Sequence, residues 1–355
     1  MRFTLLSAAI AAAIGCATLA PSHAAPVAPD SYSIRVKNLY PEDTVYDRTR
    51  NLFYQSNLWK GRISVWNPAN SDHYNLLIPG VSSSGDGAQQ MAGLSIDTRS
   101  NAKRLYGVAK DSAAFRFGPD QSKTGPCSFH AFDLPATAAS TPVWSVYFDA
   151  VQRQFEASTG TRPFGPVDSA QDSQGNSYVV FALGIPAIAK VSPDGKNVEA
   201  WFAEASNGSQ RPGYTGVAFD SRTNRLVAYG GPRPITSFDL SQPTATATPV
   251  ALSGASFGSL DGTEKLTFVS SGGKSILVGA KAPSVYAFTS TDGWKSASVK
   301  SFTRPEFQTN SLTVVTEARL GGVNGIYGGG AYFAEGAKGG RIDNWLYKIP
   351  NSILA

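Results

Sequence analysis

The sequence predicts an all-β fold: a six-bladed β-propeller with four strands per blade, in which an N-terminal strand closes the last blade. Three observations carry this. A strand–turn–strand unit recurs six times along the 355 residues, its turns lie about 50 residues apart, and a third strand follows each hairpin. The composition agrees, since 42% of residues are apolar, 11% aromatic and only 16% charged, which excludes a disordered chain.

The unit is clearest in blade one, Thr44-Val45-Tyr46-Asp47-Arg48-Thr49-Arg50-Asn51-Leu52-Phe53-Tyr54. It returns around Asp97 and Asn101 in blade two, Asp172 and Asn176 in blade three, and Asp220 and Asn224 in blade four. An Asp-led turn between two alternating strands is a hairpin signature. Weaker copies start at Leu266 and Leu312. The third strands read Arg62-Ile63-Ser64-Val65-Trp66, Ser128-Phe129-His130-Ala131-Phe132, Ala187-Ile188-Ala189-Lys190-Val191, Ile235-Thr236-Ser237-Phe238, Val285-Tyr286-Ala287-Phe288 and Trp345-Leu346-Tyr347-Lys348-Ile349. One insertion of some 25 residues falls around 140–161. A β-sandwich would alternate in the same way, but it gives no reason for successive turns to share an Asp-x-x-x-Asn pattern. Ser31-Tyr32-Ser33-Ile34-Arg35-Val36 is an alternating strand placed to complete blade six, and sealing the ring removes an exposed edge.

The first 24 residues read as a signal peptide, with Arg2, an apolar run from Phe3 to Ala20, and the small-residue end Ser22-His23-Ala24. Residues 25–355 then form one propeller domain, expected in the secretory pathway, either extracellular or in an ER or vesicle lumen. No later stretch is long and apolar enough to span a bilayer. Removing Arg2 from the chain's 31 basic side chains leaves 30 against 26 acidic ones, spread without clusters, so nothing asks for nucleic acid. Cys16 leaves with the signal, so Cys127 has no intrachain partner and a large packed interior must supply stability. With only His73 and His130 in the mature chain, His/Cys zinc sites and His-based triads have too few residues to draw on. Asn207-Gly208-Ser209 is a glycosylation sequon, as expected of a secreted glycoprotein.

In a propeller the first strand of each blade lines the axis, so register locates the chemistry. Four positions before the turn Asp stand Asp43 in blade one and Asp168 in blade three, with Gly93 and Gly216 at the same place in blades two and four. Two carboxylates about a third of a turn apart face one cavity, with Glu42 beside them. Crowded carboxylates raise each other's pKa and equip one as a proton donor. Asp43, Asp168 and Glu42 are therefore the candidate catalytic residues. Gln90, Glu264, Asn310 and Tyr214 are the candidate substrate contacts, all at strand entries. Asp43 and Asp168 could equally cap blade turns or bind backbone amides. The turn residues Asp47, Asp97, Asp172 and Asp220 are read as structural, accepting backbone hydrogen bonds in Asx turns.

The stretch Tyr40-Pro41-Glu42-Asp43-x-x-Tyr46-Asp47, continuing to Phe53-Tyr54-x-Ser56 and Gly61-Arg62-Ile63, resembles the opening of a fungal secreted family, as does Gly213-Tyr214-Thr215-Gly216. That family is the core trichothecene cluster protein fourteen family, encoded beside sesquiterpenoid mycotoxin genes. The resemblance implies a β-propeller that assists trichothecene assembly as a cyclase. It would close the oxygen ring of an allylic-alcohol precursor, with a sesquiterpenoid-like substrate and no cofactor. A second reading is a Ca²⁺-dependent lactonase of the gluconolactonase-like class, with Glu42, Asp168 and Asn310 around the cation. A third is a secreted binding protein or virulence factor without catalysis.

Overall fold

The computed structural model describes residues 29–97, 103–113, 125–205, 208–209, 211–256, 263–271 and 274–354. The expected signal segment, Asn207 and the blade-two turn after Asp97 lie outside the described residues. Six antiparallel blades form a ring, as the repeats predict. Their inner strands are Pro41–Asp47, Gln89–Ile96, Phe164–Gln171, Tyr214–Asp220, Thr263–Ser271 and Leu312–Leu320. Each pairs with the strand that follows it in sequence.

Closure uses Ser31–Arg35, which pairs antiparallel with Asp343–Ile349 in a register from Ser31 opposite Tyr347 to Arg35 opposite Asp343. The buried Asn344 amide adds bonds to the Ile34 and Val36 carbonyls at 3.2 and 3.1 Å. Blade five gains a fifth strand, Ala251–Gly254, laid parallel along Ser296–Thr303. The 140–161 insertion contains the helix Asp149–Thr159, which turns Val151 and Phe155, one helical turn apart, onto Phe181 of blade three. Gly160, at φ +76°, ends that helix in the left-handed conformation and sends its N–H to the Glu156 carbonyl.

Apolar clusters fill each junction between neighbouring blades. Tyr106, Phe129 and Phe181 pack between blades two and three, and Tyr229, Leu277, Phe288 and Trp294 between four and five. The turn aspartates act as expected. Asp47 accepts the N–H of Thr49 at 2.9 Å, Asp172 those of Gln174 and Asn176 at 2.9 Å each, and Asp220 that of Arg222 at 3.0 Å. Asp220 does more, since its Oδ2 also accepts the buried Trp294 indole N–H at 2.8 Å and so ties blade four to blade five.

Every inner strand is irregular at one height. The ladder shifts between Pro41 and Thr44, Met91 and Leu94, Pro166 and Asp168, Tyr214 and Gly216, Thr263 and Leu266, and Leu312 and Val314. A bulge re-aims the side chains of its extra residues. Here the bulged residues Glu42, Asp43, Gly93, Val167, Thr215, Glu264, Lys265 and Thr313, together with Asp168, surround the waist of the channel. The two glycines at this height are required by space. A Cβ on Gly93 would stand 2.3 Å from the Val167 carbonyl oxygen, and one on Gly216 would stand 2.5 Å from that of Glu264.

Candidate functional site

At the waist, Lys265 from blade five places its Nζ 2.8 Å from Asp43 Oδ2, 2.8 Å from Asp168 Oδ1 and 2.8 Å from the Leu94 carbonyl. Blades one, two, three and five thus meet at one ammonium. Asp43 also accepts the N–H groups of Thr44 and Leu94, both at 2.7 Å, and Asp168 those of Ser169 at 2.9 Å and Val217 at 3.0 Å. Each aspartate therefore spans to the next blade, Asp43 to blade two and Asp168 to blade four. Burial pushes the Asp168 carboxyl up to about 6, with Asp43 adding to the rise and Lys265 opposing it. Burial pulls the Lys265 ammonium down, but the two carboxylates together outweigh it and hold it above its ordinary value.

Register brings these two aspartates to the axis, and the structure shows what holds them there. Asp43 and Asp168 do converge on the axis, but both oxygens of each are committed to Lys265 or to backbone N–H groups. They clasp four neighbouring blades, and the next carboxylates along the axis are Glu42, beside Asp43, and Glu264, beside Lys265.

Above the clasp a cavity of about 450 Å³ opens at the ends where the inner strands begin. Its walls are Leu58, Trp59, Val167, Leu183, Pro212 and Phe333, and its floor carries Glu42, Glu264, Lys110, Gln90, Thr215 and Thr263. Glu42 is 7% exposed. Its Oε1 accepts from Lys110 Nζ at 2.5 Å, whereas Oε2 is buried with no hydrogen-bond partner. Burial raises the Glu42 carboxyl against the pull of Lys110. Glu264 is pushed further, to about 8, by burial and then by the Glu42 charge, with Lys110 acting the other way. Glu264 keeps some exposure, and the surface it keeps faces the cavity that it lines. Thr215 and Thr263 bond each other through their hydroxyls at 2.8 Å.

Of the expected substrate contacts, Gln90 and Glu264 line this cavity and the other two do not. Tyr214 alternates away from its neighbour Thr215 and packs in the core between blades three and four. Asn310 follows the short helix Pro305–Thr309, and one end of its buried side-chain amide lies 3.1 and 3.2 Å from the Glu306 and Phe307 carbonyls, within reach for its nitrogen to donate to both. The calcium set is likewise not assembled. Asn310 lies against its own helix and Asp168 is held by Lys265. Among the described residues no group of three or more His, Cys, Asp or Glu side chains is placed to hold a metal ion. Glu317, well along the inner strand of blade six, lies at the opposite mouth, in a smaller cavity of about 240 Å³.

Two functional lysines were missed. Lys265 could not be found by counting back from a turn aspartate, because blade five has Val269 where blade one has Asp47. Lys110 carried a signal, being a cation in the otherwise apolar run Leu105-Tyr106-Gly107-Val108-Ala109 that register places opposite Gln90.

Comparison with known proteins accounts for the whole ring. The sequence model of the Mal s 1 allergenic protein-like family matches residues 16–312. The chain belongs to that family. Within the Mal s 1-like family, the major allergen Mal f 1 of Malassezia furfur is 54% identical over 326 residues, spanning 92% of this chain and 93% of that protein. The crystal structure of the major Malassezia sympodialis allergen Mala s 1 superposes with a TM-score of 0.88 at 53% identity, covering 93% of this chain and 98% of that one. The trichothecene resemblance is narrowed accordingly. Trichothecene biosynthesis protein 14 of Trichoderma arundinaceum is 28% identical over 191 residues, 52% of this chain and 49% of that protein, and is a distant relative of this Mal s 1-like chain.

Proposed function

We propose that this chain binds a small, mostly apolar molecule in the upper cavity and acts on it by general acid–base chemistry. The observation that carries the reading is the pair of carboxyl groups on the floor. Glu264, with its pKa near 8, is protonated at neutral pH and can donate, while Glu42, ion-paired to Lys110, can accept. The walls suit an apolar skeleton, and the volume lies in the range of small-molecule sites.

The distant likeness to a trichothecene biosynthesis protein supports a hydroxylated sesquiterpenoid as the substrate class. In that reaction Glu264 protonates the departing allylic hydroxyl, the C–O bond breaks and water leaves. The Trp59 face, lining the wall, would shield the allylic cation. A second hydroxyl of the same molecule attacks the cation and Glu42 takes its proton, after which the proton returns to Glu264. The test is incubation of purified protein with a dihydroxylated or trihydroxylated sesquiterpenoid, following loss of water and ring closure. An unchanged substrate with measurable binding would leave the chain a binding protein. We further propose that it acts in the secretory pathway, in keeping with the apolar N-terminal segment, and that it is an allergen like Mal f 1. Sera that recognise Mal f 1 should recognise it.

A further inference from the structure

We infer that the cavity selects its ligand by a single hydroxyl group, which donates to Glu42 Oε2 and accepts from the Glu264 carboxyl. The inference rests on the small-molecule reading above and names what that molecule must carry. Its starting point is the buried Oε2 of Glu42, an acceptor without a hydrogen-bond partner on a residue that lines both the cavity floor and the waist below it. Leaving such an oxygen dry is costly, and a group arriving with a donor recovers that cost. Lys110 occupies only the other oxygen, so one donor is required.

The remaining charge decides which donor. The charged and titratable groups facing this point are Glu42, Glu264 and Lys110, with the Asp43–Lys265–Asp168 clasp beneath. An ammonium ligand would meet Lys110 at close quarters and has nothing to accept the Glu264 proton. A carboxylate would meet Glu42 and has no donor to offer. An ether can accept but cannot donate. An alcohol does both, and the Leu58, Trp59, Leu183 and Phe333 walls cover its skeleton.

The test is a matched series on the unaltered protein at pH 7, with farnesol, farnesyl methyl ether, farnesylamine and farnesoic acid measured by calorimetry. A hydrogen bond to a charged acceptor predicts that farnesol binds at least about tenfold more tightly than each of the others. Glu42→Gln should lower farnesol affinity about tenfold and shrink the alcohol–ether difference. At pH 9.5, where Glu264 is ionised and can no longer donate, the alcohol should lose affinity and the amine should gain. Ether binding as tight as alcohol binding, or no binding of farnesol, overturns the inference. Because the readout is affinity, it is independent of turnover. Discrimination without ring closure sinks only the catalytic reading, and ring closure without discrimination sinks only this one. The ligand series needs no variant, so it remains decisive if Glu42→Gln does not fold.

Discussion

Replacing Lys265 by Met keeps an unbranched side chain one atom shorter and removes its charge, which turns the clasp into two buried carboxylates facing each other. Removing one partner of a buried ion pair costs about 3–5 kcal/mol. Here the Thr44, Leu94, Ser169 and Val217 N–H groups still solvate the aspartates, while the loss is shared by two carboxylates and a carbonyl. With an unfolding entropy of about 2.1 cal/mol/K per residue over roughly 330 residues, that penalty lowers Tm by about 4–7 °C. The pH dependence is specific. A carboxyl whose folded pKa is raised, as Asp168 is to about 6, binds its proton more readily folded than unfolded, so it destabilises the fold progressively as pH rises from about 4 towards its folded value. Losing Lys265 raises that value further and extends the loss towards neutral pH. The Lys265→Met penalty measured by calorimetry should therefore be smaller at pH 5 than at pH 8. Adding Asp168→Asn should restore part of it by removing one of the buried charges. A single variant melting within 1 °C of the parent at both pH values would refute the clasp.

Other outcomes follow from the same geometry. Glu264→Gln should leave Tm nearly unchanged and lower turnover of a hydroxylated substrate by about 10²- to 10⁴-fold, and the parent's rate should fall above about pH 8 as Glu264 loses its proton, both read in a pH–rate profile. Asp43→Asn should be seen first as a lower Tm, since Asp43 bonds Lys265, Thr44 and Leu94, whereas a purely catalytic Asp43 would lose activity with Tm intact. Gly93→Ala sets a methyl 2.3 Å from the Val167 oxygen and should cost about 1–3 kcal/mol in chemical denaturation. Deleting residues 29–35 exposes the edge of Asp343–Ile349 and should give a protein that aggregates on concentration.

The ring was legible because its signals are periodic. Asp47, Asp172 and Asp220 each close a turn, and each turn announces two strands. The axial height was legible for the same reason, since an offset counted from those aspartates brings Asp43, Gly93, Asp168 and Gly216 to one plane. What the offset could not reveal is the counter-ion, because blade five lacks the landmark from which to count. Nor could it reveal the bulges, which turn two consecutive residues towards the axis where simple alternation allows one. That is why Glu42 and Glu264 reach the cavity floor beside Asp43 and Lys265. Tyr214 shows the converse error. Its position at a strand entry suggested the wall, but the pleat gives that place to Thr215 and sends the ring into the core.

The waist bears on traffic through the molecule. With Asp43, Asp168 and Lys265 joined across it, about 10 Å³ stays open there, room for one water at most. The two mouths are therefore separate vestibules, and the upper one is a cul-de-sac. Whatever enters over Trp59 and Phe333 must back out the same way, so under the proposed acid–base function a product would compete with incoming substrate for one doorway. A polymer cannot be threaded through, and only a free molecule or a chain end short enough to fit above the clasp can reach Glu42.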